Sequence, residues 1–188
     1  MDDNKNPLEK NMTLIEHLEE FRSALIVIVI TLIISTILCF YKSDILLDIA
    51  SKPLLNKLPN VKLIMVSPGE AFFNSIKISF FFGLILSLPI ILNRIYWFVA
   101  PGLTLKELKL FKPLIIFFYI LFMFGLFFSY FILLPVGINF LIDFAPSNIN
   151  PMISIDKYIS FIISTSVGAS IVFELPIILF AFGLSRIC

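Results

Sequence analysis

One carboxylate interrupts an oily run near the end of the chain. Residues 171–180 read IVFELPIILF, and Glu174 is the only acid in the hydrophobic segment from about Tyr158 to Leu184. Ser166, Ser170 and Glu174 recur at i, i+4 and i+8, which on a helix is one face. A charge near mid-bilayer costs roughly 3 kcal/mol on an insertion scale. Neutralising a carboxyl at pH 7 costs about 3.7 kcal/mol, so the two forms are comparable. In either form the group must face protein or water rather than lipid. The chemistry open to it is a hydrogen bond to another helix of the chain, a polar contact with a partner helix, or a proton or ion path.

A second group of acids stands in MTLIEHLEEFRSAL. Glu16, Glu19, Glu20 and Ser23 share one helical face, while Leu14, Leu18, Phe21 and Leu25 recur at helical spacing as an apolar stripe. Thr13 and Glu16 fit a capping box that starts a helix at Thr13. The acidic face is either a solvated surface or a binding surface for cations. It is the wrong sign for anionic headgroups, which attract Lys and Arg.

Enzyme chemistry finds little footing. There is no second acid inside a hydrophobic run, and the sole histidine, His17, lies in the tail and reads as a helix-surface residue. There is no Gly-rich nucleotide loop. Cys39 and Cys188 have neither metal-ligand spacing nor a disulfide framework. A net charge of +1 gives no electrostatic case for nucleic acid.

The elements that hold these residues are membrane helices. Of 188 residues 59% are hydrophobic, 22 are Phe and 14% are charged, and mean hydropathy is +1.02. Soluble domains sit near 45–50% apolar and about 25% charged, so the excess faces lipid. The expected fold class is an all-α polytopic bundle forming one domain, with transmembrane helices at 24–41, 71–93, 113–142 and 158–184. No period-2 alternation points to a barrel. The remaining segments are a tail, 1–23, loops at 42–70 and 143–157, and a loop at 94–112.

Lys5, Lys10 and Arg22, the second connection's Arg94, Lys106, Lys109 and Lys112, and Arg186 fall on one side. Lys42, Lys52, Lys57, Lys62 and Lys157 fall on the other, with Lys77 nearby. The richer side is placed in the cytoplasm, N-terminus included. In the first connection, Ile45, Leu46, Ile49 and Ala50 predict a short amphipathic helix ended near Pro53. SPGE at 67–70 predicts a second capping box with Pro68 at the first helical position, and Lys77 is expected to snorkel outward. Pro89, Pro135 and Pro176 predict kinks and a bent, cup-like bundle. Gly83, Gly125 and Gly168 predict close helix approaches.

HLEEFR (17–22), SPGEAFF (67–73), FVAPGL (98–103) followed by Glu107, and FELP (173–176) occur in this order and at these membrane positions. In these four motifs the chain resembles the C subunit of the twin-arginine protein translocase, the TatC family. The resemblance runs over nearly the whole chain. It implies a bacterial cytoplasmic-membrane or organelle-membrane receptor subunit of a Sec-independent machine. Such a machine exports folded proteins on the proton-motive force, with no bound cofactor. It implies as partners twin-arginine signal peptides, single-span TatA- and TatB-type subunits and further copies of the chain. By match to the family's motifs, Glu20 and Glu107 would contact the arginine pair, with Arg22, Phe98 and Leu103 on positions used in the same recognition. Pro53 would belong to the outer cap, and Glu174, beside Ser170 and Ser166, would meet a polar group of a partner helix.

The chain departs from the family in NRIYWFVAP, where Arg94 and Tyr96 replace the usual Gln and Trp. It also has four spans where the family has six, so a fragment or shortened form lacking the last two helices is expected. The other function open on the residues alone is a small proton-coupled carrier using Glu174.

Overall fold

The computed structural model describes residues 14–55, 63–102, 105–144 and 152–185. Four helices are long and apolar enough to cross a membrane: Ile15–Phe40, Glu70–Gly102, Phe111–Asp143 and Ile155–Leu179. The chain is a multi-pass helical membrane protein.

Helix α1 spans Leu14–Phe40 without a break. No Gly or Pro lies between those residues, so the acidic tail segment and the first span form one rod. Thr13, the expected start, lies outside the described residues. Helix α2 spans Ser43–Leu55 and carries Pro53 inside it, two residues short of its end. The helix therefore runs past the proline that was expected to stop it. The lost donor leaves the carbonyl of Ile49 free, and the Tyr130 hydroxyl donates to that carbonyl at 2.7 Å.

Helix α3, Glu70–Val99, begins two residues after Pro68 rather than at it. The Glu70 carboxylate reaches back to the Val66 N–H at 3.0 Å, and the Glu70 N–H donates to the Ser67 carbonyl. Only the glutamate half of the expected box is present, reaching Val66 rather than Ser67, and no side chain caps the helix at Gly69. A 3₁₀ turn, Ala100–Gly102, follows. The third span is α4, Leu105–Phe128, then a π turn over Ser129–Leu133, then α5, Leu134–Asp143. Pro135 stands just past the π turn, where the Leu134 N–H reaches back five residues to the Ser129 carbonyl. The widened turn accommodates the ring and missing donor of the proline. Helix α6 spans Ile155–Ser185 and carries Pro176.

α1 packs along α3, α4 along α6, and α3 joins the two pairs by contacting α6. Two glycines set the approaches. A Cβ on Gly83 would stand 2.8 Å from Thr36 of α1, and one on Gly125 would stand 2.7 Å from the Ser170 Cα of α6. Gly168, expected to do the same, faces open space with nothing within 4 Å. The apolar core lies where α2 covers the bundle, built from Ala50, Leu54, Ile78, Leu134, Ile138, Tyr158, Ile159 and Ile162. A parallel bridge between Ile64 and Ser154 ties the two connections together at that end. Most of α1 stays exposed, as a lipid-facing helix should, and Ser35 is its one buried residue among those described.

Candidate functional site

The first site forms where α1 begins and α3 finishes. The two helices run antiparallel through the Gly83–Thr36 contact, and this register brings the HLEEFR segment to the FVAP segment. His17 stacks on Phe98 with ring centroids 4.5 Å apart, and Phe21 leans on the same ring at 5.4 Å. His17 is thus half-buried rather than a free surface residue. A pocket of about 170 Å³ opens there, lined by Glu20, Ser23, Ala24, Arg94, Trp97 and Phe98. Glu20 is half-buried, and its Oε2 is withdrawn from solvent with no hydrogen-bond partner. Arg94 is exposed at the same pocket. Among the described residues the ion pair is between Lys77 and Asp156, not between Glu20 and Arg94. An acid walled by aromatic rings, with an unused acceptor atom, can receive a cation. Arg22 is exposed on α1. Glu107 lies in the first turn of α4, but its side chain, like all of Leu103, is outside the described residues.

The second site is within the bilayer span. Ser166, Ser170 and Glu174 are all buried on one face of α6, at 3%, 0% and 3% exposure. The third span, α4 and the π turn after it, supplies the matching face. Gly125 seats against Ser170, and the Ser129 hydroxyl donates to the Ser166 hydroxyl at 3.3 Å. The Ser170 hydroxyl returns to the Ser166 carbonyl at 2.9 Å. The small residues let α4 and α6 close on each other, and the polar atoms pair at that closure. Glu174 follows one turn later on α6, past the serine pair, and neither carboxylate oxygen has a hydrogen-bond partner. Next to it the Phe173 ring packs against Phe124 and Phe128. A buried, unpartnered carboxyl is expensive in an apolar setting.

At the opposite end from Glu20, Pro53 is buried in α2. Tyr130 and Tyr158 bond the Ile49 and Ala50 carbonyls, fixing α2 across the bundle. Lys77 does not snorkel to solvent alone; it pairs with Asp156 of α6 and reaches the Ser160 hydroxyl at 3.5 Å.

The residues alone singled out Glu20 and the α6 stripe, and the resemblance added Phe98, which the structure places in the same pocket as Glu20. It missed the His17 stack, Trp97 as a pocket wall and Ser129 as the partner of Ser166. It also missed a polar stripe on α3, where Ser79, Gly83 and Ser87 are buried at i, i+4 and i+8. That spacing was available as a signal.

Residues 16–188 match the sequence model of the family described as Sec-independent protein translocase protein (TatC). The chain is 39% identical over 171 residues to the Sec-independent protein translocase protein TatC of Aquifex aeolicus, covering 90% of this chain and 71% of that one. It is 38% identical over 176 residues to the uncharacterized tatC-like protein ycf43 of Cyanidium caldarium, covering 94% and 72%. A chloroplastic Sec-independent protein translocase protein TATC from Oryza sativa is 35% identical over 177 residues, 94% of this chain and 49% of that one. A crystal structure of a twin-arginine translocase receptor, TatC, superposes with a TM-score of 0.78 at 38% identity, covering 88% of this chain and 73% of the other. A second, in DDM, gives 0.81 at 36% identity, covering 92% and 78%. With the HLEEFR and FVAP segments meeting at one pocket and the FELP glutamate buried in the bilayer span, the chain belongs to the TatC family of Sec-independent protein translocase proteins.

Proposed function

We propose that the chain is the receptor subunit of a twin-arginine translocase and binds the arginine pair of signal peptides at the Glu20 pocket. The observation that carries this reading is the Glu20 carboxylate, whose Oε2 is buried and unpartnered in a pocket walled by Phe98 and Trp97. A planar guanidinium can give that acceptor two parallel donors and stack on the aromatic walls, which an ammonium cannot. Glu107, in the first turn of α4, takes the second arginine. Arg22, Phe98 and Leu103 contribute to the same recognition, and Pro53 belongs to the cap at the other end. Glu174, with Ser166 and Ser170 behind it, accepts a hydrogen bond from a polar group on a single-span TatA- or TatB-type helix. Export of folded cargo then proceeds on the proton-motive force in an assembly of these subunits. Translocation, rather than catalysis, is the family's work.

The test is peptide binding to the protein in lipid nanodiscs. A labelled signal peptide with Arg-Arg should bind about 10- to 100-fold more weakly to Glu20→Ala and to Glu107→Ala, the size of a charge-assisted hydrogen bond. A Lys-Lys version should bind the parent protein poorly. Equal affinity for the two peptides removes the reading.

A further inference from the structure

We propose that Arg94 makes the Glu20 pocket selective for arginine-pair peptides that also carry a carboxylate beside the pair. This rests on the receptor reading above and narrows its ligand. Glu20 of α1 and Arg94 of α3 line one pocket of about 170 Å³, so an acid and a guanidinium face the same incoming group. They make no direct ion pair, the one found among the described residues being Lys77–Asp156. Their settings differ. Glu20 is half-buried with Oε2 withdrawn from solvent, whereas Arg94 is exposed. Beside Arg94 in the sequence of α3 stand Asn93, Ile95, Tyr96 and Trp97, none of which is an acid, so the acid that shares its pocket is Glu20 of α1.

A peptide arginine on its way to Glu20 therefore meets a like charge at the pocket mouth, and like charges set together across an interface disfavour the complex. Arg94 offers five N–H donors and no acceptor, so what satisfies it is an oxygen, and a carboxylate best. A peptide that brings both signs turns the repulsion into a second ion pair and fixes the register of the arginine pair. Arg94 is thus a specificity-determining residue, one that touches the ligand.

The experiment measures peptide affinities with the full chain in nanodiscs, by fluorescence anisotropy at low salt. The peptides are an Arg-Arg signal with Asp two positions from the pair, the same peptide with Asn there, and a Lys-Lys control. The proteins are the parent, Arg94→Gln and Arg94→Lys. The parent should prefer the Asp peptide by about threefold to fivefold, the effect of an exposed charge pair. Arg94→Gln should lose that preference and bind the Asn peptide more tightly than the parent does. Arg94→Lys, which keeps the charge, should retain the preference. Arg-Arg binding with the same Asp-to-Asn ratio in parent and Arg94→Gln overturns this inference alone. Absence of any preference for Arg-Arg over Lys-Lys overturns it together with the receptor reading.

Discussion

At Pro53 the helix α2 lacks the N–H that would bond the carbonyl of Ile49, and the Tyr130 hydroxyl donates to that carbonyl instead. The proline thereby creates an acceptor that only another element can satisfy, and the pairing locks α2 to the π turn of the third span. Tyr130→Phe should lower stability by about 1–3 kcal/mol, the cost of an orphaned buried acceptor. The check is thermal unfolding in detergent. Pro53→Ala returns the N–H to Ile49, so the double variant should lose less than the sum of the two single losses. The proline alone was visible in the sequence, and read by itself it marks a helix end. Its rescuer is Tyr130, on another helix, and no local rule connects the two. Glu174 was legible for the opposite reason. Its two serines share its own helix, and period alone assembles them. Ser129, which completes that stripe from the π turn of the third span, was not.

Helix approaches in this bundle are set by which small residues meet a neighbour. Gly83 and Gly125 leave no room for a Cβ against α1 and α6, while Gly168 faces open space. In a bilayer, where no hydrophobic force drives helices together, close packing of this sort is the main source of association. Gly83→Leu and Gly125→Leu should each destabilise the fold by about 1–3 kcal/mol through overpacking, read as a lower melting temperature in detergent. Gly168→Leu should leave the melting temperature unchanged. Since Gly→Leu raises helix propensity at every position, equal losses at all three would show that the close contacts at Gly83 and Gly125 are not what sets stability. The sequence marks the three glycines alike, because composition carries no information about what lies across the gap. The helices themselves were legible: long apolar runs, two of them uncharged and two carrying a single charge at Lys77 or Glu174, marked four spans, since lipid demands internally bonded backbone. What the sequence left open were the ends, where α3 starts at Glu70 rather than Pro68 and α1 continues from tail to span.

Taken whole, the molecule is polar at three levels. The Glu20–Phe98 pocket occupies one end, the Ser129–Ser166–Ser170–Glu174 group the span, and the Lys77–Asp156 pair with the tyrosine-bonded α2 the other end. On the proposed receptor function, the pocket must face the compartment where cargo is made, which places the Glu20 end inside. The lysines and arginines point the same way, being denser on the Glu20 side. With Cys39 and Cys188 changed to Ser, Lys52→Cys and Arg22→Cys place single thiols at exposed positions on α2 and on the tail end of α1. An impermeant maleimide added to intact cells should label Lys52→Cys. It should reach Arg22→Cys only after the membrane is opened. The reverse pattern would put the Glu20 pocket outside, where no unexported peptide reaches it, and the receptor reading would fall at the scale of the whole protein whatever its pocket binds in nanodiscs.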